Sequence, residues 1–140
     1  MLSKERPLFY NERDFQLAFG MALNKHFPKR KDIKIRMEFP YPSDENKNTY
    51  ADIMFLIKNK PTFAIELKFL SKKGLITSTD GEQFNYKKCS KKKRTEDIEE
   101  DRERIKKFGK GCVVILSNDK RFIKKGNWHN YANDFFYKID

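Results

Sequence analysis

Three features of the 140-residue sequence predict an α/β or α+β fold, with helices flanking a mixed central sheet. Apolar residues recur at helical spacing near the N-terminus. Three strand-like segments joined by short turns follow. A second helix then leads straight into a short, fully apolar strand. Short turns favour an antiparallel meander, whereas a helix before a buried strand implies a parallel crossover, so the sheet is expected to be mixed. The length suits a single domain, residues 1–140. That is enough chain to bury a core and too little for two cores.

Each element has its own justification. Between Asn11 and Phe27, the residues Phe15, Ala18, Phe19, Ala22 and Leu23 fall on one helical stripe, with Asn11 as N-cap and Pro28 as the stop. Ile33, Ile35, Met37 and Phe39 alternate with Lys34, Arg36 and Glu38, the pattern of a half-buried strand closed by Pro40. After a polar turn from Ser43 to Thr49, the run Tyr50 to Ile57 is apolar on both faces except at Asp52. Asn59-Lys60-Pro61 makes a tight connection to a third strand, Phe63 to Leu70. Residues 71–94 break the pattern and read as a long loop carrying a basic run. A charged helix is expected from Thr95 to Phe108, ended by Gly109 and Gly111. Cys112 to Leu116 is the buried strand, and the tail from Trp128 to Asp140 is aromatic-rich without a clear period. The order is therefore αβββαβ.

Composition narrows the partners. Lys and Arg number 31 against 20 Asp and Glu, a net charge of +11 that suits a polyanion such as nucleic acid. No apolar run approaches the roughly 20 residues of a bilayer span, and the first residues hold no apolar core of a signal peptide. A cytoplasmic protein that does not engage membranes is the expectation. Cys89 and Cys112 form no CxxC or Cys/His pattern, so neither a zinc site nor a disulfide scaffold is expected. His26 and His129 lie on separate segments, without a nucleophile–base arrangement, and no phosphate-cradling glycine motif occurs.

The chemistry concentrates in Phe63-Ala64-Ile65-Glu66-Leu67-Lys68-Phe69. Strand alternation sends Phe63, Ile65, Leu67 and Phe69 to one face and Ala64, Glu66 and Lys68 to the other. Opposite charges thus emerge together from an interior strand, and the preceding strand adds Asp52 within an apolar stretch. Buried carboxylates need a cation, a proton or an ion partner. Two hard oxygen donors beside a backbone carbonyl are what Mg²⁺ or Mn²⁺ prefers. The competing reading of Glu-x-Lys on a strand is a solvated salt bridge.

A helix, three strands bearing Asp…Glu-x-Lys, a helix and a buried strand resemble the PD-(D/E)xK nuclease superfamily, the restriction-endonuclease-like proteins. The resemblance covers residues 11–117, and one departure is Ala51, which stands where the family's Pro often does. Asn11-Glu12-Arg13-Asp14-Phe15-Gln16, Ile65-Glu66-Leu67-Lys68, Gly81-Glu82-Gln83-Phe84 and Leu116-Ser117-Asn118-Asp119 further resemble a group of small prokaryotic members without an assigned target. The resemblance implies that Asp52, Glu66 and the Leu67 carbonyl bind the metal. It implies that Lys68 positions or deprotonates the attacking water or stabilises the phosphorane; independently, a lysine flanked by a dication and little solvent has its pKa drawn down toward a useful range. It also makes Glu12 a candidate further ligand; its competing reading is a first-turn carboxylate favoured by the helix dipole. Asp101 reads as an inter-element salt-bridge partner.

For nucleic acid, the candidates are Lys87, Lys88, Lys91, Lys92, Lys93 and Arg94, read as a phosphate-binding loop with Phe84 and Tyr86 for stacking, and Gln83 in the same loop. Lys120, Arg121, Lys124 and Lys125 form a second basic cluster. The function expected is a Mg²⁺- or Mn²⁺-dependent nuclease acting on DNA. The alternatives are a catalytically silent nucleic-acid- or protein-binding module on the same fold, and a nuclease for RNA or branched junctions. So small a domain offers little reading surface, and family analogy makes a homodimer an open expectation. The aromatic tail is either its surface or part of the core.

Overall fold

The computed structural model describes residues 2, 6–27, 30–42, 49–87, 90–123, 126–132 and 134–140. Within them the chain runs α1 (Glu12–His26), β1 (Ile33–Pro40), β2 (Tyr50–Ile57), β3 (Lys60–Leu70), β4 (Gly74–Thr77), β5 (Gln83–Tyr86), α2 (Lys91–Phe108), β6 (Gly111–Ser117), a 3₁₀ turn (Lys120–Phe122), β7 (Trp128–Ala132) and β8 (Phe135–Ile139). Six strands form one mixed sheet in the order β1-β2-β3-β6-β8-β7, and β4 pairs with β5 alone.

The expected meander is present, with β1, β2 and β3 antiparallel in sequence and β3 parallel to β6 across the α2 crossover. α1 starts where its cap predicts: the Asn11 side chain accepts from the Asp14 amide at 3.0 Å. β2 has the bounds read from the sequence; of the polar turn before it, residues 43–48 lie outside the described residues.

Three expectations are corrected. The stretch 71–94 is not one long loop, because Gly74–Thr77 and Gln83–Tyr86 form a hairpin whose turn uses Gly81 at φ +88. The second helix starts at Lys91, four residues before Thr95. Ser90 caps it by accepting from the Lys93 amide at 3.5 Å, and Lys and Arg are good helix formers. The tail is two strands: β8 pairs with both β6 and β7 and buries Phe135 in the core.

The sheet separates two apolar layers. Phe15 and Ala18 of α1 pack with Leu8 and Phe9 on the face that carries Ile65, Leu67 and Phe69. Ile98 of α2 packs on the other face against Leu70, Val113 and Ile115. Strand alternation therefore puts Glu66 and Lys68 on the α2 face. Gly111 marks the close approach of β6 to β3: a Cβ there would meet the Ala64 carbonyl oxygen at 2.3 Å.

Candidate active site

Asp52 lies where the regular pairing of the sheet fails. The β1–β2 register runs to Met37↔Ile53 and resumes at Phe39↔Ala51, passing over Glu38, which takes φ +46, and Asp52. The β2–β3 register ends at Ile53↔Ile65. Beyond that point two carboxylates replace β2 as acceptors for β3. Asp52 Oδ2 accepts from the Leu67 amide at 2.7 Å, and Glu12 Oε2 accepts from the Phe69 amide at 3.1 Å. Asp52 Oδ1 accepts from Gln16 Nε2 of α1 at 2.8 Å. A residue's N–H and C=O share one edge of a strand, so the Leu67 carbonyl opens on the Asp52 side.

Glu66 and Lys68 are held from the α2 side. Glu66 is 2% exposed; its Oε1 accepts from the Tyr41 hydroxyl at 2.7 Å and lies 3.7 Å from Arg104 Nε. Lys68 Nζ lies 2.9 Å from Asp101 Oδ2, and Asp101, 1% exposed, also pairs with Arg104 one turn on. The predicted salt-bridge role of Asp101 is thus observed, with Lys68 as its partner.

Three carboxylates, Asp52, Glu66 and Asp101, stand against Lys68 and Arg104, and burial first, then this imbalance, raises their proton affinities. Burial and then the charges of Asp52 and Asp101 push the Glu66 carboxyl up to about 7. Burial also raises Asp52, against the Leu67 hydrogen bond and the Lys68 charge. For Lys68 without the dication, burial pulls the ammonium down, but Asp101, Glu12 and Asp52 outweigh it and the net shift is upward. Without a dication beside it Lys68 remains a cation, suited to stabilising negative charge rather than to accepting a proton.

Among the described residues, no three His, Cys, Asp or Glu side chains are gathered as a metal cage. Glu12 serves the Phe69 amide and has Arg94 at 3.8 Å. Asp52 and Glu66 nevertheless make a two-carboxylate set short of positive charge. Mg²⁺ sites are commonly built on one or two carboxylates with waters and substrate phosphates, so the donor chemistry fits such an ion.

The basic candidates divide between two elements. Lys87 follows β5, while Lys92, Lys93 and Arg94 belong to the first turn of α2 rather than to a loop. Lys88 and the side chain of Lys91 lie outside the described residues, as do Lys124 and Lys125 of the second cluster. Lys87, Lys93 and Arg94 line a cleft of about 540 Å³ that also contains Glu12, Tyr10 and Phe84. Gln83 is exposed on β5. Tyr86 cannot stack on a base: it is buried, and its hydroxyl donates to the Phe9 carbonyl. Phe84 is half-buried against Tyr10, with ring centroids 4.8 Å apart.

Sequence reasoning missed Gln16, Tyr41 and Arg104 as partners of the acidic residues. Arg104 had a usable signal, lying one turn after Asp101 on α2. Tyr41 had none, since its contact spans 25 residues.

No family model, curated protein or solved structure significantly matches this chain. Its fold is a mixed α/β domain, with two helices of several turns among the described residues on a mixed sheet. No helix among those residues is long and apolar enough to cross a membrane.

Proposed function

We propose that this chain is a metal-dependent nuclease with a restriction-endonuclease-like core, hydrolysing phosphodiester bonds in DNA. The observation that carries the reading is the convergence of Asp52 and the Glu66–Leu67–Lys68 segment where β2 and β3 part, marked by the 2.7 Å contact of Asp52 with the Leu67 amide. Asp52, Glu66 and the Leu67 carbonyl would hold Mg²⁺ or Mn²⁺, which when bound acidifies a water and offsets charge on the phosphate. Lys68, steered by Asp101, would donate to a phosphate oxygen as negative charge builds there. Asp101 and Tyr41 are positioning residues that hold Lys68 and Glu66. Lys87, Lys93 and Arg94 supply the sequence-independent attraction for the backbone. In the net reaction water oxygen bonds to phosphorus, the bond to the leaving oxygen breaks, and that oxygen takes a proton.

A second reading is favoured by one specific observation. Asp52, Glu66 and Glu12 all accept hydrogen bonds within the protein and build no three-acid cage. A catalytically silent binding module needs no more than that. Metal separates the two readings. Plasmid, linear duplex, single strands, RNA and a four-way junction are incubated with Mg²⁺, Mn²⁺ or EDTA, beside Lys68→Ala. The nuclease reading expects metal-dependent cutting, abolished by EDTA and reduced about 100-fold or more by the substitution. Binding that ignores EDTA without cutting establishes the module, and cutting confined to RNA or junctions reassigns the substrate.

A further inference from the structure

We propose that the β4–β5 hairpin is a base-reading ribbon that lies in the major groove of duplex DNA, with phosphates seated in basic clefts on both sides of it. The proposal rests on the nucleic-acid reading above and assigns the element that meets the bases.

The hairpin has two unlike faces. Gly74, Ile76, Phe84 and Tyr86 face inward, while Leu75, Thr77, Gln83 and Asn85 are exposed. The outward residues stand opposite one another, Leu75↔Asn85 and Thr77↔Gln83. An isolated two-stranded hairpin is marginal in water, so its order must come from its anchors. The Tyr86 hydroxyl donates to the Phe9 carbonyl, Phe84 lies on Tyr10, and Ser71 Oγ donates to the Lys87 carbonyl at 3.1 Å. The outward face is thus held rigidly while contributing nothing to the core, and Leu75 is 63% exposed.

That face carries no charge in a chain with a net charge of +11. Two amides, a hydroxyl and an apolar side chain are the groups that read base edges: Asn and Gln bond adenine bidentately, and an apolar group meets the thymine methyl. The charge lies on the flanks. On the β5 side is the cleft with Lys87, Lys93 and Arg94. On the β4 side, at the carboxyl ends of the parallel strands β3 and β6, is a second cleft of about 620 Å³ with Lys72, Lys73, Lys120 and Arg121. Asp119, paired with Arg121, and Asp134 temper the second cleft; Glu12 tempers the first and links it to the candidate active site. A neutral ribbon between two cationic flanks matches a groove about 12 Å wide bordered by two phosphate rows. Asp80 and Glu82 make the hairpin tip acidic, so the flat face, not the tip, meets the bases.

The test is a binding selection from a randomised duplex pool in EDTA, which needs no cutting. It uses the full chain, the Gln83→Ala/Asn85→Ala variant and the Lys72→Ala/Lys73→Ala variant; all four side chains are exposed, and melting curves check each fold. The wild type is expected to enrich a short motif. The amide variant should lose that enrichment at least about tenfold with its salt dependence retained. The lysine variant should weaken all sequences together and lower the log–log salt slope by about two. Tight duplex binding without a motif, or a motif unchanged in the amide variant, overturns the ribbon and leaves nucleic-acid binding standing. Absence of duplex binding overturns both the ribbon and the duplex-DNA reading it rests on.

Discussion

Glu66 is the residue at which stability and chemistry pull apart. Its carboxyl titrates near 7 in the folded chain against an ordinary value of 4.5. Between those values the folded state holds a proton that the unfolded state has lost, so the Glu66 contribution falls as pH rises from about 4.5 to about 7, then levels. Glu66→Gln keeps an acceptor for Tyr41 and removes the charge. Melting at pH 8 should therefore show the variant more stable than wild type, on the order of 1–2 kcal/mol, and the gain should shrink at pH 5. An equal or opposite difference at the two pH values contradicts this assignment of Glu66. The same variant is expected to lose metal-dependent cutting. Asp52 and Glu-x-Lys were legible in the sequence because charges stand out inside apolar strands. The direction of the Lys68 shift was not, since it depends on Asp101, contributed by a helix across the face of the sheet.

Among the elements, legibility followed how many faces each one buries. α1 and β1 expose one side to solvent and show their periods plainly. β8 lies between β6 and β7, with Phe135, Phe136, Tyr137 and Lys138 all at least partly buried, so no alternation survives in its sequence. The β4–β5 hairpin did carry a signal, Asp80-Gly81 between Leu75-Ile76 and Phe84-Asn85-Tyr86, which the surrounding lysines obscured. The start of α2 was obscured by its basic first turn, unfavourable for the helix dipole yet paired in part through Arg94 with Glu12 and Asp97. The crossover between α2 and β6 yields the sharpest prediction at this scale. Gly111→Ala places a Cβ against the Ala64 carbonyl, backbone that cannot swing aside. Chemical denaturation should register a loss of about 2–4 kcal/mol. A change under 0.5 kcal/mol would mean that β3 and β6 do not approach this closely.

For the whole molecule, the sheet is continuous from the meander through the parallel pair to the tail. Removing residues 128–140 strips β7 and β8, uncovers the edge of β6 and empties the Phe135 position, where stacking on Phe69 is lost. The truncated chain is expected to melt at least about 10 °C lower or to aggregate, as an exposed interior strand does. An unchanged, soluble melting profile would show that the tail is not part of the core. Glu12, which bonds to the Phe69 amide beside the acidic cluster, also lines the cleft that holds Lys87, Lys93 and Arg94.

The most direct measurement is single-turnover cleavage of labelled DNA in Mn²⁺ by wild type, Asp52→Asn, Glu66→Gln, Lys68→Ala and the Asp52→Asn/Lys68→Ala double variant, with melting curves for each. Groups that act as one unit are non-additive. Each single variant is expected to be at least about 100-fold slower while still folded, with the double variant little slower than the worst single. A folded single variant that cuts within a few-fold of wild type would contradict the site at that residue, and three such variants would contradict it altogether.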